Sequence, residues 1–483
     1  MKGKRPLYII LISLLIVIAV VIFLLPTFFS SKAGTEFLIR RIEKKSNASL
    51  TIGSFHLTWF GPQKIKTLSY KDPNFDIDAD SIISNMSLLS FYKSIKSLDN
   101  LKFFANTEIN NLNIALHFPN MAEANFYNVH ATIKGDIKKI NSIHITGKTS
   151  AENNTGDFRA TIDILGQNIK ASIKGKNIPT IGLDQLLFYN NEKYKNSLVQ
   201  VLGNSIDLNI TSTLDDLKGP IDIDFQSPGS RGSLNLFYQK NQITLTQNAI
   251  IVLQVAGMNP KFINQISYLQ SQPNYPVIIK VSADGFLFPL PFKIQNLKIR
   301  HMSIDLNKMI VSNTGVIRTI TSLAKMRSSN TVGLWFNTVN IQIDQGMLFS
   351  DRLDFLINDF VHLCLWGKTN LVNRTLRMNL GVTSDTLYSV FGIQNLPSDY
   401  VIKIPIKGSF EKPKIDAAGA SAKILALSAF QSGEGLGAII GGVISQFQKD
   451  KDIPPPKKPF PWEGKVRTRQ ESNQQGNIFD FFK

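Results

Sequence analysis

Between Leu50 and about Asp416 the chain alternates apolar and polar positions with a period of two. Leu112-Asn113-Ile114-Ala115-Leu116, Val129-His130-Ala131-Thr132-Ile133 and Ile206-Asp207-Leu208-Asn209-Ile210 keep this rhythm in the first half. Ser233-Leu234-Asn235-Leu236, Ile304-Asp305-Leu306 and Val339-Asn340-Ile341-Gln342-Ile343 keep it in the second. Successive side chains of a strand point to opposite faces. Each run therefore predicts a strand with one apolar face and one face of Asn, Asp, Thr and Lys. Turn tripeptides such as Lys134-Gly135-Asp136 and Lys174-Gly175-Lys176 punctuate the runs. The expectation is a mainly β protein built as a long antiparallel meander. A sheet of about twenty strands does not stay flat and open, so it closes into a barrel, splits into sandwiches or coils into a trough. A membrane barrel is disfavoured, because neither aromatic girdles nor even hairpin lengths occur.

Helical periodicity interrupts the strands at Asp184–Leu202, Asn259–Gln272 and Thr314–Met326. An Ala- and Gly-rich stretch, 417–448, predicts a last helix. The segment 449–483, with Pro454-Pro455-Pro456 and scattered charges, predicts a disordered tail.

The N-terminus follows another rule. Leu7 to Leu25 is uncharged, with Leu7, Ile12, Val17, Ile22 and Leu25 marking its apolar body. At 1.5 Å rise it spans about 28 Å, close to the hydrocarbon core of a bilayer. A cleaved signal peptide would have a shorter apolar region and a small-residue cleavage site. Ser31-Lys32-Ala33 is a poor match to one, so residues 1–31 read as a retained signal anchor. Lys2, Lys4 and Arg5 precede the span, and Lys32, Arg40, Arg41, Lys44 and Lys45 follow it, so charge does not set its orientation. Residues 34–46 place Phe37, Leu38, Arg41 and Ile42 in helical register, which predicts a short amphipathic helix beside the membrane. The β domain then occupies 47–416.

Composition narrows the function classes. The chain has 483 residues, 43% of them hydrophobic, which is enough for a core and excludes wholesale disorder. The net charge of +17 invites a nucleic-acid reading. About +6 of it lies in residues 1–50 beside the apolar span, where it meets anionic headgroups instead, and the body carries the rest dilutely. No nucleic-acid partner is therefore expected. The single cysteine, Cys364, excludes an intramolecular disulfide framework and any CxxC site, and its apolar neighbours predict a buried small hydrophobe.

Candidate motifs give no catalytic centre. Asp76, Asp78 and Asp80 resemble the start of a calcium loop, but Ser81 and Ser87 stand where Gly and Glu are required. Their alternation with Phe75, Ile77 and Ala79 predicts a strand with an acidic face. Gly433-x-Gly435-x-x-Ala438 follows helix rather than strand, which argues against a dinucleotide site. The histidines form no HExxH, and no GxSxG or P-loop occurs. No enzyme, cofactor or metal is expected.

Residues 47–74, NASLTIGSFHLTWFGPQKIKTLSYKDPN, resemble the N-terminus of the AsmA-like proteins of Gram-negative envelopes through Ile52-Gly53, Trp59-Phe60-Gly61-Pro62 and Asp72-Pro73. Ile82 to Leu116, Leu365–Leu371 and Ile404–Pro413 resemble later stretches of that family. The matches cover about a third of the chain; none falls in about residues 180–330. The resemblance implies the repeating β-groove superfamily that includes TamB. It implies an inner-membrane, single-pass anchor with the bulk of the chain in the periplasm, forming an elongated groove. It also implies a role in outer-membrane biogenesis, with phospholipid acyl chains and other envelope proteins as partners. Ile114, Leu116, Ile133, Leu208, Leu236, Leu306 and Ile341 would line the groove. The alternative is an envelope scaffold that assists outer-membrane protein assembly and carries no lipid.

Overall fold

The computed structural model describes residues 24–46, 48–88, 106–119, 121–135, 140–188, 196–254, 270–271, 276–313, 317–318, 321–322, 329–409, 412–431 and 452–464. Leu7, Ile12, Val17 and Ile22 lie outside these residues, as do most of 259–272 and 314–326, and all of 432–448. Among the described residues no helix is long and apolar enough to cross a membrane. Leu25 falls in a helical stretch, 24–30, and is 37% exposed. The chain divides into two compact units, Met1–Ser227 and Pro228–Lys483, a division at Ser227–Pro228 that the alternation does not reveal.

Unit 1 begins with helix α1 (Lys32–Ser46), which packs on strand β1 (Ser49–His56) and is tied to it where Glu43 accepts from the Leu50 amide at 3.0 Å. The strands β2 (Gln63–Lys71), β3 (Phe75–Ser84), β4 (Thr107–Leu116), β5 (Ala124–Gly135) and β6 (Ile140–Ala151) follow. Then come β7 (Asn154–Leu165), β8 (Asn168–Pro179), β9 (Ser205–Leu214) and β10 (Gly219–Gln226). Every strand pairs antiparallel with the next in sequence. This is the expected meander. One insertion departs from it: helices α2 (Thr180–Phe188) and α3 (Ser197–Leu202) leave the sheet between β8 and β9.

A line of irregularities crosses β1 to β5. The period of two slips by one residue at Gly53-Ser54, Lys66-Thr67, Asp80-Ser81, Asn110-Asn111 and Tyr127-Asn128, yet the apolar residues on either side stay on one face. Thr67, Asn111 and Asn128 take positive φ there. Such bulges bend a strand and sharpen its twist. Gly53 stands opposite Thr67, where a Cβ would meet the Thr67 Cβ at 3.0 Å. Further along, Cα atoms of β6 and β8 approach within 8 Å across β7, whereas flat strands two apart lie about 9.6 Å apart. The sheet of unit 1 is therefore curled.

Lys174-Gly175-Lys176 is not a turn. It lies inside β8, where Gly175 faces Phe158 and Leu208 and makes room for the folded-over Ile178 side chain. The tightest turns come instead as pairs of positive φ, Asp216-Leu217, Lys240-Asn241 and Gln345-Gly346, whose twist matches that of the flanking strands.

Unit 2 starts with β11 (Ser230–Gln239), β12 (Gln242–Leu245), β13 (Ala249–Leu253), β14 (Gln270–Ser271), β15 (Val277–Val281) and β16 (Phe286–Pro289). It continues with β17 (Lys298–Asp305), β18 (Lys308–Ser312), β19 (Thr331–Phe336), β20 (Val339–Asp344) and β21 (Met347–Ile357). The last strands are β22 (Val361–Asn370), β23 (Thr375–Thr383), β24 (Val401–Ser409) and β25 (Pro413–Ile415). Several are halves of one broken strand. β11 pairs with both β12 and β13, and β21 with both β19 and β20. Asn307, at the break between β17 and β18, has φ 51° and donates to the Pro276 carbonyl at 2.6 Å.

The core of unit 2 lies on one face of β18 to β24. Ile357, Val361, Leu363, Leu380 and Ile404 are at most 2% exposed there. Helix α4 (Ser384–Phe391) covers it with Leu387, and α5 (Ala417–Gln431) with Ile424 and Leu427. Residues 452–464 depart from the expected disorder. They lie against the opposite face of β21 and β22, with Phe460 and Trp462 each 7% exposed beside Leu356 and Trp335. Ile453 packs on Cys364, Trp366 and Val401. The apolar rings supply what net charge and proline content conceal: contact area large enough to order the segment.

Candidate functional site: a half-covered apolar sheet face

The ladders of unit 1 align apolar residues from strand to strand. Phe55 faces Ile65, Ile65 faces Ile82, Ile82 faces Ile109 and Ile109 faces Ala131. The row continues through Ile145, Ala160, Ile173 and Ile210 to Ile223 without interruption. Nine steps of about 4.8 Å make it roughly 43 Å long. A second row runs Ile133, Ile143, Ile162, Ala171.

Ile109, Ala131 and Ile133 are each 8% exposed, but from β6 onward these rows are not sealed. Ile143, Ile145, Ile162, Ile164, Ile169, Ile173, Ile210, Ile221 and Ile223 are all half-buried. Fully burying an isoleucine contributes about 1.5–3 kcal/mol, and each of these keeps only part of its surface exposed, so the face leaves on the order of a few kcal/mol of transfer free energy unused. The opposite face is polar and charge-paired by register: Lys148 faces Asp157, Asp157 faces Lys176 and Asp163 faces Lys170. On β3 the expected acidic face is present, with Asp76 beside Lys71 at 3.6 Å and Asp80 accepting from Asn111.

One end of the face is closed. α2 packs on β5, β6 and β8, where Gly182 lies against Phe126, Ala124 and Thr149. Asp184 of α2 has no exposed surface and accepts from the Leu198 and Val199 amides of α3 at 3.1 and 2.8 Å. Burial pushes its carboxyl above the usual range, against the pull of those two amides. Gln185 donates to the Ala122 carbonyl and Thr180 to that of Gly203. Leu116, Ala124 and Ala151, at the same strand ends, are at most 3% exposed.

Of the expected lining residues, Ile114, Leu116, Ile133 and Leu208 lie on this face of unit 1. Ile114 stands between Ile77 and Phe126, and Leu208 between Gly175 and Phe225. Ile114 and Leu208 are half-buried, whereas Leu116 and Ile133 are sealed at 1% and 8%. The other three belong to unit 2. Leu236 is 9% exposed opposite Leu245, and Leu306 and Ile341 pack against the closed core.

The sequence reading missed a charged cluster in unit 2. Arg352 grips Asp354 through Nε and Nη2 at 2.8–3.1 Å, both side chains being at most 4% exposed. His362 places Nε2 3.0 Å from Asp354 and Nδ1 3.0 Å from Asp385, the first acidic residue of α4. Burial pulls the imidazole pKa down, but the hydrogen bonds and charges of the two carboxylates outweigh it and hold it above its usual value. The hydrogen bond from His362 in turn holds Asp385 below the carboxylate range. Nearby Cys364 has no exposed surface, and burial pushes its thiol up to about 12, so it carries no nucleophile. Among the described residues no group of three or more His, Cys, Asp or Glu could hold a metal ion.

No family model, curated protein or solved structure matches the chain.

Proposed function

We propose that unit 1 binds acyl chains along its apolar face, as a membrane-anchored carrier or conduit for phospholipid in envelope biogenesis. The observation that carries this reading is the contrast between two faces of the same protein. The isoleucine rows of β6 to β10 remain half-covered, while the core strands of unit 2 bury Ile357, Val361, Leu363, Leu380 and Ile404 to 2% exposure or less. A soluble ligand without hydrocarbon gains little there, whereas an acyl chain recovers the unused transfer free energy. The sheet of unit 1 is curled, and its polar face keeps charged residues in water. The AsmA-like resemblance supports the same assignment, including the inner-membrane anchor and the periplasmic location.

The test is a lipid mass spectrum of protein purified without detergent exchange, with residues 1–31 removed. Stoichiometric phospholipid supports the carrier reading. Protein that purifies lipid-free and remains monomeric and folded contradicts it and favours the scaffold.

A further inference from the structure

His362 joins three elements at its ring. Its two nitrogens face carboxylates of β21 and α4, both at 3.0 Å. A carboxylate accepts and does not donate, and a neutral imidazole carries one N–H, so the arrangement is complete only with the ring doubly protonated. The ring itself meets the segment 452–464 edge-on. Its centroid lies 4.8 Å from that of Phe460 and 5.5 Å from that of Trp462, and those two rings stack at 8°. A cationic ring against aromatic faces adds electrostatic attraction to the packing.

The remaining anchors of the segment are charged too. Arg352 donates to the Pro454 carbonyl at 3.3 Å, and Lys457 pairs with Asp351. Lys458, Asp359 and Glu463 line the pocket of about 550 Å³ that His362 and Asp385 share with the segment. Of all these groups, the imidazole has the reference titration nearest neutrality.

We propose that residues 452–464 form a proton-linked strap: protonated His362 holds it on β21 and β22, and loss of that proton releases it. On deprotonation one carboxylate loses its donor. Asp354 keeps Arg352, so the partner released is Asp385 at the exposed rim. The ring loses its positive edge against Phe460 and Trp462 at the same step. Release uncovers Leu356 and Trp335, an apolar patch on the outer face of unit 2.

The four tryptophans make the test. Full-length protein labelled with 5-fluorotryptophan is followed by fluorine NMR from pH 5 to 9, with Trp462 assigned by its loss in Trp462→Phe. The expected result is that the Trp462 signal moves to a solvent-exposed position as pH rises, while the circular dichroism of the strands is unchanged. His362→Gln abolishes the dependence. If that variant fails to fold, seen as loss of strand circular dichroism at pH 6, Asp385→Asn replaces it and lowers the release midpoint. The proposal is overturned if Trp462 stays buried throughout, if the strand circular dichroism is lost with it, or if neither variant alters the wild-type profile.

Discussion

Asn111 donates from Nδ2 to Asp80 Oδ2 across 2.8 Å on the polar face of unit 1, at the level where the strands from β1 to β5 each carry an extra residue. Asn111 has φ 50°, and Thr67, two strands away on the same line, has φ 53°. The polar pair thus marks the seam where the strands are irregular, linking a local backbone conformation to the bend of the sheet.

Replacing Asn111 with valine tests that seam. A β-branched residue in the left-handed region costs roughly 1–2 kcal/mol, and the bond to Asp80 is lost as well. The urea midpoint of the Asn111→Val protein is expected to fall accordingly, with Asn111→Gly recovering most of the loss. An unchanged midpoint in the valine variant would show that the seam carries no strain.

The closed end of the face depends on Asp184. Asp184→Ala leaves the Leu198 and Val199 amides without their acceptor, a cost of about 1–3 kcal/mol. Thermal unfolding of unit 1 should drop measurably, and Asp184→Asn should drop it less. Equal stability of all three proteins would argue that α2 and α3 do not hold this end together.

Unit 2 has a stability window set by His362 and Asp385. His362 is raised, so its contribution is complete below about pH 6.5 and disappears as pH climbs through the folded value. Asp385 is lowered, so its contribution is present above about pH 3.9 and disappears as pH falls through its folded value. Resistance to urea is therefore expected to be greatest between about pH 4 and 6.5 and to decline toward pH 9. A midpoint that rises from pH 6 to 9 would reverse the sign of this account.

Cys364 should react with a maleimide only after unfolding. Its thiol is buried and pushed up to about 12, which leaves almost no thiolate at neutral pH. Slow native labelling and fast labelling in urea are expected. Fast native labelling would mean that β22 opens on the labelling timescale.

Period-two alternation made the meander of unit 1 legible, because each ladder there joins neighbours in sequence. The bulges were written in the sequence as doubled polar positions, Asn110-Asn111 and Asp80-Ser81, where the period slips by one. Unit 2 was less legible. Arg352 and Asp354 alternate with Leu353 and Phe355, so they read as a solvent face. The strap buries that face from about a hundred residues away, which no local pattern encodes. Val361-His362-Leu363-Cys364-Leu365-Trp366 held the available hint, a nearly continuous apolar run that marks a strand covered on both sides. Leu236, Leu306 and Ile341 share the alternation of Ile114 and Leu208, yet Leu236 is buried, Leu306 and Ile341 are half-buried against the unit 2 core, and only packing distinguishes these surroundings.

Ile173 and Lys174 are adjacent on β8 and point to opposite faces, which makes them the sharpest probe of the proposed function. A photoreactive amino acid is placed at Ile173, Ile210 or Lys174 in cells, and adducts are identified by mass spectrometry. Phospholipid adducts at Ile173 and Ile210, with none at Lys174, are the predicted result. No lipid at the two isoleucine positions, or equal labelling at Lys174, would contradict an acyl-binding face on unit 1.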